Sequence, residues 1–158
     1  MNLKRVRQLT ERQNKGKKVL YWMSRDMRVY DNWAVVYADK LAKEQGKKLE
    51  VGFWFYKKDK YEKRVYDFFL EGIENVTKDL QKLSITWVEL NDKSLDEYSD
   101  IVFDFSPLRG HKKRLEAVKD VYTGNMWEVD AHNIVPCWIA SNKLEYGAHT
   151  LRPKIHKL

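Results

Sequence analysis

The chain has 158 residues, of which 43% are hydrophobic and 13% aromatic, so it is long and apolar enough to fold around a core of its own and is not a disordered chain. No uncharged apolar run approaches the ~18 residues of a membrane span, and the single cysteine, Cys137, excludes an internal disulfide, so we expect a cytoplasmic protein. The formal net charge is +7, but residues 1–18 carry seven basic side chains against one acidic side chain, which leaves the remainder nearly neutral.

The first 18 residues form a basic N-terminal arm. Leu3, Val6 and Leu9 recur at steps of three, which is the spacing of an apolar stripe on a short helix. A solvated and partly frayed arm is the simplest expectation for such a terminus, and contact with nucleic-acid phosphates is the alternative.

Strands and helices are predicted to alternate after the arm. The run VLYW at 19–22 is continuous and apolar, which is typical of a strand buried on both faces of a parallel sheet, and Asp31 or Asn32 offers an N-cap for the next helix. We expect strands at 19–22, 49–55, 85–90, 101–105 and 126–129, helices at 31–46, 61–83 and 110–121, and a short helical turn at 94–98. This order predicts an α/β fold, a doubly wound five-stranded parallel sheet with flanking helices of the Rossmann-like type.

The alternation stops after Asp130. Thr150 and Pro153 predict the start of a helix close to the last residue, which favours a fragment or a tail that packs on another unit. We therefore divide the chain into the basic arm (1–18), an α/β domain (19–130) and a connecting segment (131–158).

Several common chemistries lack their motifs in this sequence. It contains neither GxGxxG nor GxxxxGK[ST] nor GxSxG, which removes three familiar ways of binding phosphates or activating a serine. Its four histidines are widely spaced, without CxxC or HExxH, so we expect no metal site. Cys137 lies between Pro136 and Trp138 and is expected to be packed rather than nucleophilic. We assign no catalytic residue to this chain alone.

Polar side chains instead follow three of the predicted strands. These are Ser24, Arg25 and Asp26 after the first strand, Asp104, Ser106 and Arg109 after the fourth, and Asp130, His132 and Asn133 after the fifth. Because parallel strands end at one edge, the three groups should meet there. One interpretation is that Arg25 or Arg28 pairs with Asp26, Asp31 or Asp104 to satisfy buried charge and position loops. The other is a pocket for a flat polar molecule, with apolar walls formed by Met23, Phe53, Trp54, Phe55 and Phe105.

Four segments resemble the N-terminal half of class II cyclobutane pyrimidine dimer photolyases: YWMSRDMRVYDNWA at 21–34, DFSPLR at 104–109, VDAHNIVPCW at 129–138 and EYGAHTLRPK at 145–154. Gly147 stands where an alanine is expected. The resemblance implies an antenna domain that can hold a light-harvesting pigment, of the deazaflavin type or another. It also implies a helical C-terminal domain, absent from this chain, that holds FAD and receives damaged DNA, whose dimer must be flipped out of the stack. The full-length protein would then be a light-driven DNA-repair lyase, and this chain alone would be inactive.

The resemblance also suggests roles for individual residues. It implies that residues at the predicted sheet edge contact the pigment. Together with the apolar wall residue Phe53, the predicted pigment contacts are Met23, Ser24, Arg25, Asp26, Phe53, Asp104, Phe105 and Ser106. It implies contacts with the missing domain for Trp138, Tyr146, His149 and Arg152. Two alternatives stay open: a free-standing nucleotide- or flavin-binding α/β module without repair activity, and a basic accessory protein that docks on DNA.

Overall fold

The computed structural model describes residues 2–55, 61–90 and 94–158. Within these residues the centre of the molecule is a six-stranded sheet in the order β1-β6-β5-β2-β3-β4. Its strands are β1 (Val6–Thr10), β2 (Lys18–Trp22), β3 (Lys48–Phe53), β4 (Thr86–Glu89), β5 (Tyr98–Asp104) and β6 (Asn125–Val129). The helices are α1 (Trp33–Glu44), α2 (Lys63–Lys82), α3 (Arg109–Val121), α4 (Cys137–Ala140) and α5 (Ala148–Ile155).

The five predicted strands are β2 to β6, and they are mutually parallel, which confirms the doubly wound α/β fold. β2 pairs with β3 on one side and with β5 on the other, while β4 and β6 extend the sheet outward. The side chains from Val19 to Met23 are at most 3% exposed, as expected for a central strand covered on both faces. Asn32 caps α1 by accepting from the main-chain N–H groups of Ala34 and Val35.

The N-terminal arm corrects the expectation of a short helix or a frayed terminus. After a single 3-10 turn at Leu3–Arg5, β1 adds to the sheet antiparallel to β6, with Val6 opposite Val129. Val6 and Leu9 pack on opposite faces of the sheet. Their spacing of three therefore fits an edge strand that contacts both layers as well as it fits one face of a helix.

The two faces of the sheet are covered unequally. α1 and α2 pack on the face that carries Val19, Tyr21 and Val51, and α3 packs on the face that carries Leu20 and Phe103. Leu90 and Leu95, which lie between β4 and β5 in the chain, pack in the core on this second face. The short helical turn expected at 94–98 is only a turn at 96–97, because Tyr98 already belongs to β5.

The first part of the connecting segment, 131–140, is attached to the sheet domain. Arg5 donates hydrogen bonds to the carbonyl oxygens of Asp130, Asn133 and Ile134, and the Trp138 indole N–H donates to the carbonyl of Lys4 at 2.9 Å. The division into three units remains a prediction. No helix in the described parts of the chain is long and apolar enough to cross a membrane.

Candidate functional site

The carboxyl edge of the parallel strands brings together the polar residues that follow β2, β5 and β6. β5 lies between β2 and β6 in the sheet, so the loops at 24–26, 104–106 and 130–133 are neighbours although up to about a hundred residues separate them. Direct contacts join them: for example, Asp104 Oδ2 accepts from the main-chain N–H of Ser24 at 2.9 Å, and Asp26 Oδ1 lies 3.1 Å from His132 Nδ1. The predicted convergence of these loops is therefore observed.

The carboxylate of Asp104 organises the loop after β2. Its Oδ2 atom accepts main-chain hydrogen bonds from Ser24 and Arg25 at 2.9 and 2.8 Å, with the N–H of Asp26 further away at 3.4 Å. Its Oδ1 atom accepts from the hydroxyl of Tyr21 at 2.6 Å. Asp104 is only 1% exposed, so its oxygens serve protein donors, and the result is a loop with a fixed backbone.

Tyr21 and Asn32 extend the hydrogen-bond network of this carboxylate. The Tyr21 hydroxyl accepts from Asn32 Nδ2 at 3.1 Å while it donates to Asp104, and Asn32 Nδ2 also donates to the carbonyl oxygens of Asp26 and Arg28. Burial, with the negative charge of Asp104, raises the pKa of Tyr21 well above its usual value. We did not single out Tyr21 in the sequence, although a tyrosine inside an apolar central strand indicates a buried partner for its hydroxyl.

Asp26 is the second buried carboxyl group at this edge. Burial, followed by the negative charge of Asp104, raises its pKa, and the charges of His132 and Arg28 partly oppose the shift. One of the expected arginine pairs is present, since Arg28 lies 3.9 Å from Asp31. Arg25 forms a different contact, because its Nη1 donates to the carbonyl of Phe105 at 3.3 Å. The short contact of Asp26 is with His132 instead.

Two cavities lie on either side of Ser24. The first, which we call the crevice cavity, has a volume of about 420 Å³ and is lined by Ser24, Arg25, Ser106, Pro107, Leu108, Gly110, His111 and Arg114. It opens between the ends of β2 and β5, where the chain order diverges toward the two sides of the sheet. That crevice is the usual ligand position in doubly wound sheets.

The second, which we call the aromatic cavity, has a volume of about 210 Å³. It lies between the end of β3 and the first half of α2, and its lining residues are Ser24, Met27, Phe53, Tyr61, Val65, Tyr66 and Phe69. The ring centroids of Phe53 and Phe69 are 5.0 Å apart. Apolar walls with the hydroxyl-bearing residues Ser24, Tyr61 and Tyr66 among them suit a flat ring with a polar edge.

The predicted pigment contacts divide into two groups in the structure. Ser24, Arg25, Ser106 and Phe53 line one or both cavities. Asp26 and Asp104 are buried behind the loop, and Met23 is fully buried in the core. Phe105 packs edge-on against Trp138 at 5.5 Å, and of the remaining predicted wall residues Trp54 stacks on Trp22 at 5.9 Å. Contact of these residues with a pigment stays a prediction.

Sequence reasoning missed several residues that line the cavities. Phe69 belongs to the apolar repeat of the helix predicted at 61–83, which indicates core packing, whereas Tyr66 lies outside that repeat. His111 was considered only as one of four widely spaced histidines. The sequence did contain one indication that Phe69 lines a cavity. The cluster YDFF at 66–69 has more aromatic residues than one buried face of a helix requires.

The residues assigned to an interdomain contact differ in exposure. Trp138 is partly covered within this chain, since Arg7 lies over its ring at 4.8 Å. Tyr146 is 94% exposed, and His149 and Arg152 are exposed as well. Their contact with another domain stays a prediction.

Cys137 is exposed, so the expectation that it is packed was wrong. Partial burial of the thiol and the charge of Asp130 raise its pKa, which makes it a poor nucleophile at neutral pH. Within 2–55, 61–90 and 94–158, no three histidine, cysteine or acidic side chains are grouped so that they could hold a metal ion.

Comparison with known proteins agrees with this architecture. The family model described as DNA photolyase matches residues 19–158. The deoxyribodipyrimidine photo-lyase of Potorous tridactylus is 41% identical over 98% of this chain and 32% of its own length. The enzymes with the same name from Arabidopsis thaliana and Oryza sativa subsp. japonica are 36% and 33% identical over 89% and 90% of the chain. The chain thus spans about a third of the length of these relatives, and it belongs to the DNA photolyase family.

Proposed function

We propose that this chain is the N-terminal antenna domain of a class II photolyase that repairs cyclobutane pyrimidine dimers in DNA. The support is the similarity to curated relatives named deoxyribodipyrimidine photo-lyase and the partial share of their length that the chain covers. The remaining part would be a C-terminal domain that holds FAD and receives the damaged DNA. In this proposal the present chain holds a pigment and performs no bond chemistry itself.

The observation that carries the proposal is the clamp formed by Asp104. Because its carboxylate holds the main-chain N–H groups of Ser24 and Arg25, the backbone that carries both side chains is fixed beside the cavities that they line. A rigid rim of this kind lowers the entropy cost of binding a ligand. It also suits a pigment, whose orientation must be constant if energy transfer is to be efficient.

The residues of the aromatic cavity fit a flat heteroaromatic ring. Phe53 and Phe69 contribute apolar rings to the lining, and Met27 contributes a polarisable side chain. Ser24 offers a hydroxyl to the polar edge of the ring. When bound, a deazaflavin or flavin pigment supplies light absorption, and excitation energy passes to FAD. The chain's own residues bind the ring, orient it and exclude water from its faces.

The test is the action spectrum of photorepair by the full-length protein, measured for the wild type and for Phe69→Ala. We expect the variant to lose the pigment's absorption band and the matching band of the action spectrum, while repair driven by direct excitation of FAD continues. Phe68→Ala is the matched control, because Phe68 is the neighbouring residue on α2 and is 78% exposed. A pigment band that survives in Phe69→Ala at wild-type strength would exclude the aromatic cavity as its site.

The same measurements distinguish the proposed photolyase from a flavin-binding module without repair activity. Such a module would show the pigment band and would lose it in Phe69→Ala, but it would not repair pyrimidine dimers in DNA under light. We favour the photolyase role because residues 19–158 match that family along their whole length.

A further inference from the structure

We propose that the N-terminal arm is a clamp that fixes the direction in which the connecting segment leaves the sheet, with Arg5 as its positioning residue. The proposal rests on the proposed function, because the clamp would orient the remaining part of a photolyase relative to the domain that holds the pigment. The contacts that form the clamp join residues 4–7 to residues 130–138.

Arg5 binds three carbonyl groups of the turn that follows β6. Its Nη1 atom donates to the carbonyl oxygens of Asp130 and Asn133 at 3.1 and 2.6 Å, and its Nη2 atom donates to that of Ile134 at 2.7 Å. The main-chain N–H of Asp130 in turn donates to the carbonyl of Arg5 at 2.9 Å. A guanidinium holds its N–H donors in a rigid planar fork, so this one side chain fixes the path of the main chain through the turn.

A second attachment holds α4. The Trp138 indole N–H donates to the carbonyl of Lys4 at 2.9 Å. The guanidinium of Arg7 lies over the Trp138 ring at 4.8 Å, and the ring of Phe105 packs edge-on against it at 5.5 Å. Because a chain that is attached at one point can still pivot, the second attachment fixes the direction of residues 131–140 as well as their position.

Asp130 stiffens the stretch between the two attachments. Its buried carboxylate accepts from the main-chain N–H groups of Asn133 and Cys137, each at 3.0 Å. The side-chain amide of Asn133 also donates to it, at 2.8 Å. Hydrogen bonds to an ionised carboxylate are stronger than neutral ones, and the bond from Cys137 connects the first residue of α4 to the end of β6. Movement of α4 relative to the sheet would break these bonds.

The attachment to the sheet ends with α4. Among the described residues, the hydrogen bonds of 141–158 stay within that stretch, as the contact of Lys154 with Glu145 illustrates. The side chains of Leu144 and Tyr146 are 72% and 94% exposed. The direction of the chain is therefore set before residue 141.

The arginines of the arm are directed to acceptors within the protein. Besides Arg5, Arg7 pairs with the buried carboxylate of Glu128, and Arg12 donates to two main-chain carbonyl oxygens near the end of α3. A nucleic-acid phosphate would have to displace these acceptors. The three arginines are therefore better explained by attachment of the arm than by contact with nucleic acid.

A fixed direction matters for excitation transfer, because the rate of transfer depends on the distance between two pigments and on their mutual orientation. In the proposed photolyase, the antenna pigment is bound to the sheet domain and FAD is bound beyond the connecting segment. A loosened clamp would spread the two pigments over many arrangements. Each pigment would still bind to its own domain.

The test compares the wild type, Arg5→Ala and Arg5→Lys in the full-length protein with both pigments bound. Amide hydrogen exchange reports on the clamp. The transfer ratio, which is repair per photon absorbed in the antenna band divided by repair per photon absorbed in the FAD band, reports on orientation. We expect exchange over 131–140 to be at least about tenfold faster in both variants, because a single ammonium nitrogen cannot replace a guanidinium that donates through two nitrogens. We expect the transfer ratio to fall, while pigment content and repair by direct excitation of FAD stay unchanged.

Arg12→Ala is the matched control. Arg12 is an arginine of the same arm that also donates to main-chain carbonyls, but its hydrogen bonds go to α3 instead of the connecting segment. The variant should lower the melting temperature and leave the exchange over 131–140 and the transfer ratio at wild-type values. Trp138→Phe, which keeps a ring but removes the N–H that binds Lys4, should act like Arg5→Ala and provides a second test if the Arg5 variants fail to fold.

Wild-type exchange over 131–140 in Arg5→Ala would overturn the clamp and leave the proposed function intact. Faster exchange with a wild-type transfer ratio would overturn the positioning role of Arg5. A wild type without an antenna band would contradict the proposed function, and hydrogen exchange alone would then decide whether the clamp exists. Weaker and less salt-dependent DNA binding in Arg5→Ala, restored in Arg5→Lys, would support contact of the arm with phosphates in place of the clamp.

Discussion

The strongest structural prediction concerns the substitution Asp104→Asn, which keeps the shape of the side chain and removes its charge. The asparagine Oδ1 atom can still accept from the main-chain N–H groups of Ser24 and Arg25. Its Nδ2 group, however, faces the Tyr21 hydroxyl, which in the wild type donates to the carboxylate at 2.6 Å. The variant therefore has weaker neutral hydrogen bonds in place of charge-assisted ones, and it leaves one buried O–H group without its acceptor.

Both losses occur in a buried place, since Asp104 is 1% and Tyr21 is 0% exposed. An unsatisfied buried donor costs about 1–3 kcal/mol, and replacing an ionised acceptor by a neutral one costs a further ~1 kcal/mol. We expect the free energy of unfolding to fall by about 2–4 kcal/mol. For a chain of this size that corresponds to a lowering of Tm by about 4–16 °C.

The assay is urea unfolding of the wild type, Asp104→Asn, Tyr21→Phe and the double variant. The contact between the two side chains is already broken in Asp104→Asn, so Tyr21→Phe should cost less in that background, with a coupling of at least about 1 kcal/mol. Asp120→Asn, at an exposed position of α3, is the control and should change stability by less than about 0.5 kcal/mol. If Asp104→Asn behaved like this control, the loop would not depend on the carboxylate and our account of the site would be wrong.

Two further predictions concern Asp26 and β1. The pKa of Asp26 is raised in the folded protein by burial and by the charge of Asp104. The folded state therefore binds more protons than the unfolded state above pH ~4. The contribution of Asp26 to stability is consequently lost as the pH rises through its folded pKa. Asp26→Asn, which cannot ionise, should therefore gain stability relative to the wild type between about pH 4 and pH 7 in urea titrations, and a constant difference across that range would contradict the burial of its charge. Deletion of residues 2–10 removes Arg7, whose Nε lies 2.6 Å from a carboxylate oxygen of the buried Glu128. The deletion should lower the free energy of unfolding by about 3–5 kcal/mol. A decrease below about 0.5 kcal/mol, as expected for a frayed arm, would contradict the role of β1 as a strand of the sheet.

The sequence patterns were sufficient for β2, β3, β5 and β6 because these strands are largely buried and therefore apolar. The edge strand β4 was still recognisable because it contains Trp87 and Val88. The patterns were insufficient for β1, because apolar residues at steps of three fit both a helix face and an edge strand that contacts two layers. The loop after β2 was located correctly, but its hydrogen bonds to Asp104 connect residues about 80 positions apart. Contacts of that range depend on the relative placement of strands, which local periodicity does not contain.

The structure separates residues that hold the loop from residues that line the cavities, and mutation can distinguish them. Asp104 is buried and bonded to the main chain of residues 24–25, so its replacement should weaken folding and ligand binding together. Arg25 is exposed and makes one long hydrogen bond, so Arg25→Ala should weaken binding while stability changes by less than about 0.5 kcal/mol. If both variants lost stability equally, Arg25 would belong to the framework of the loop, and the ligand would have to be sought in the aromatic cavity alone.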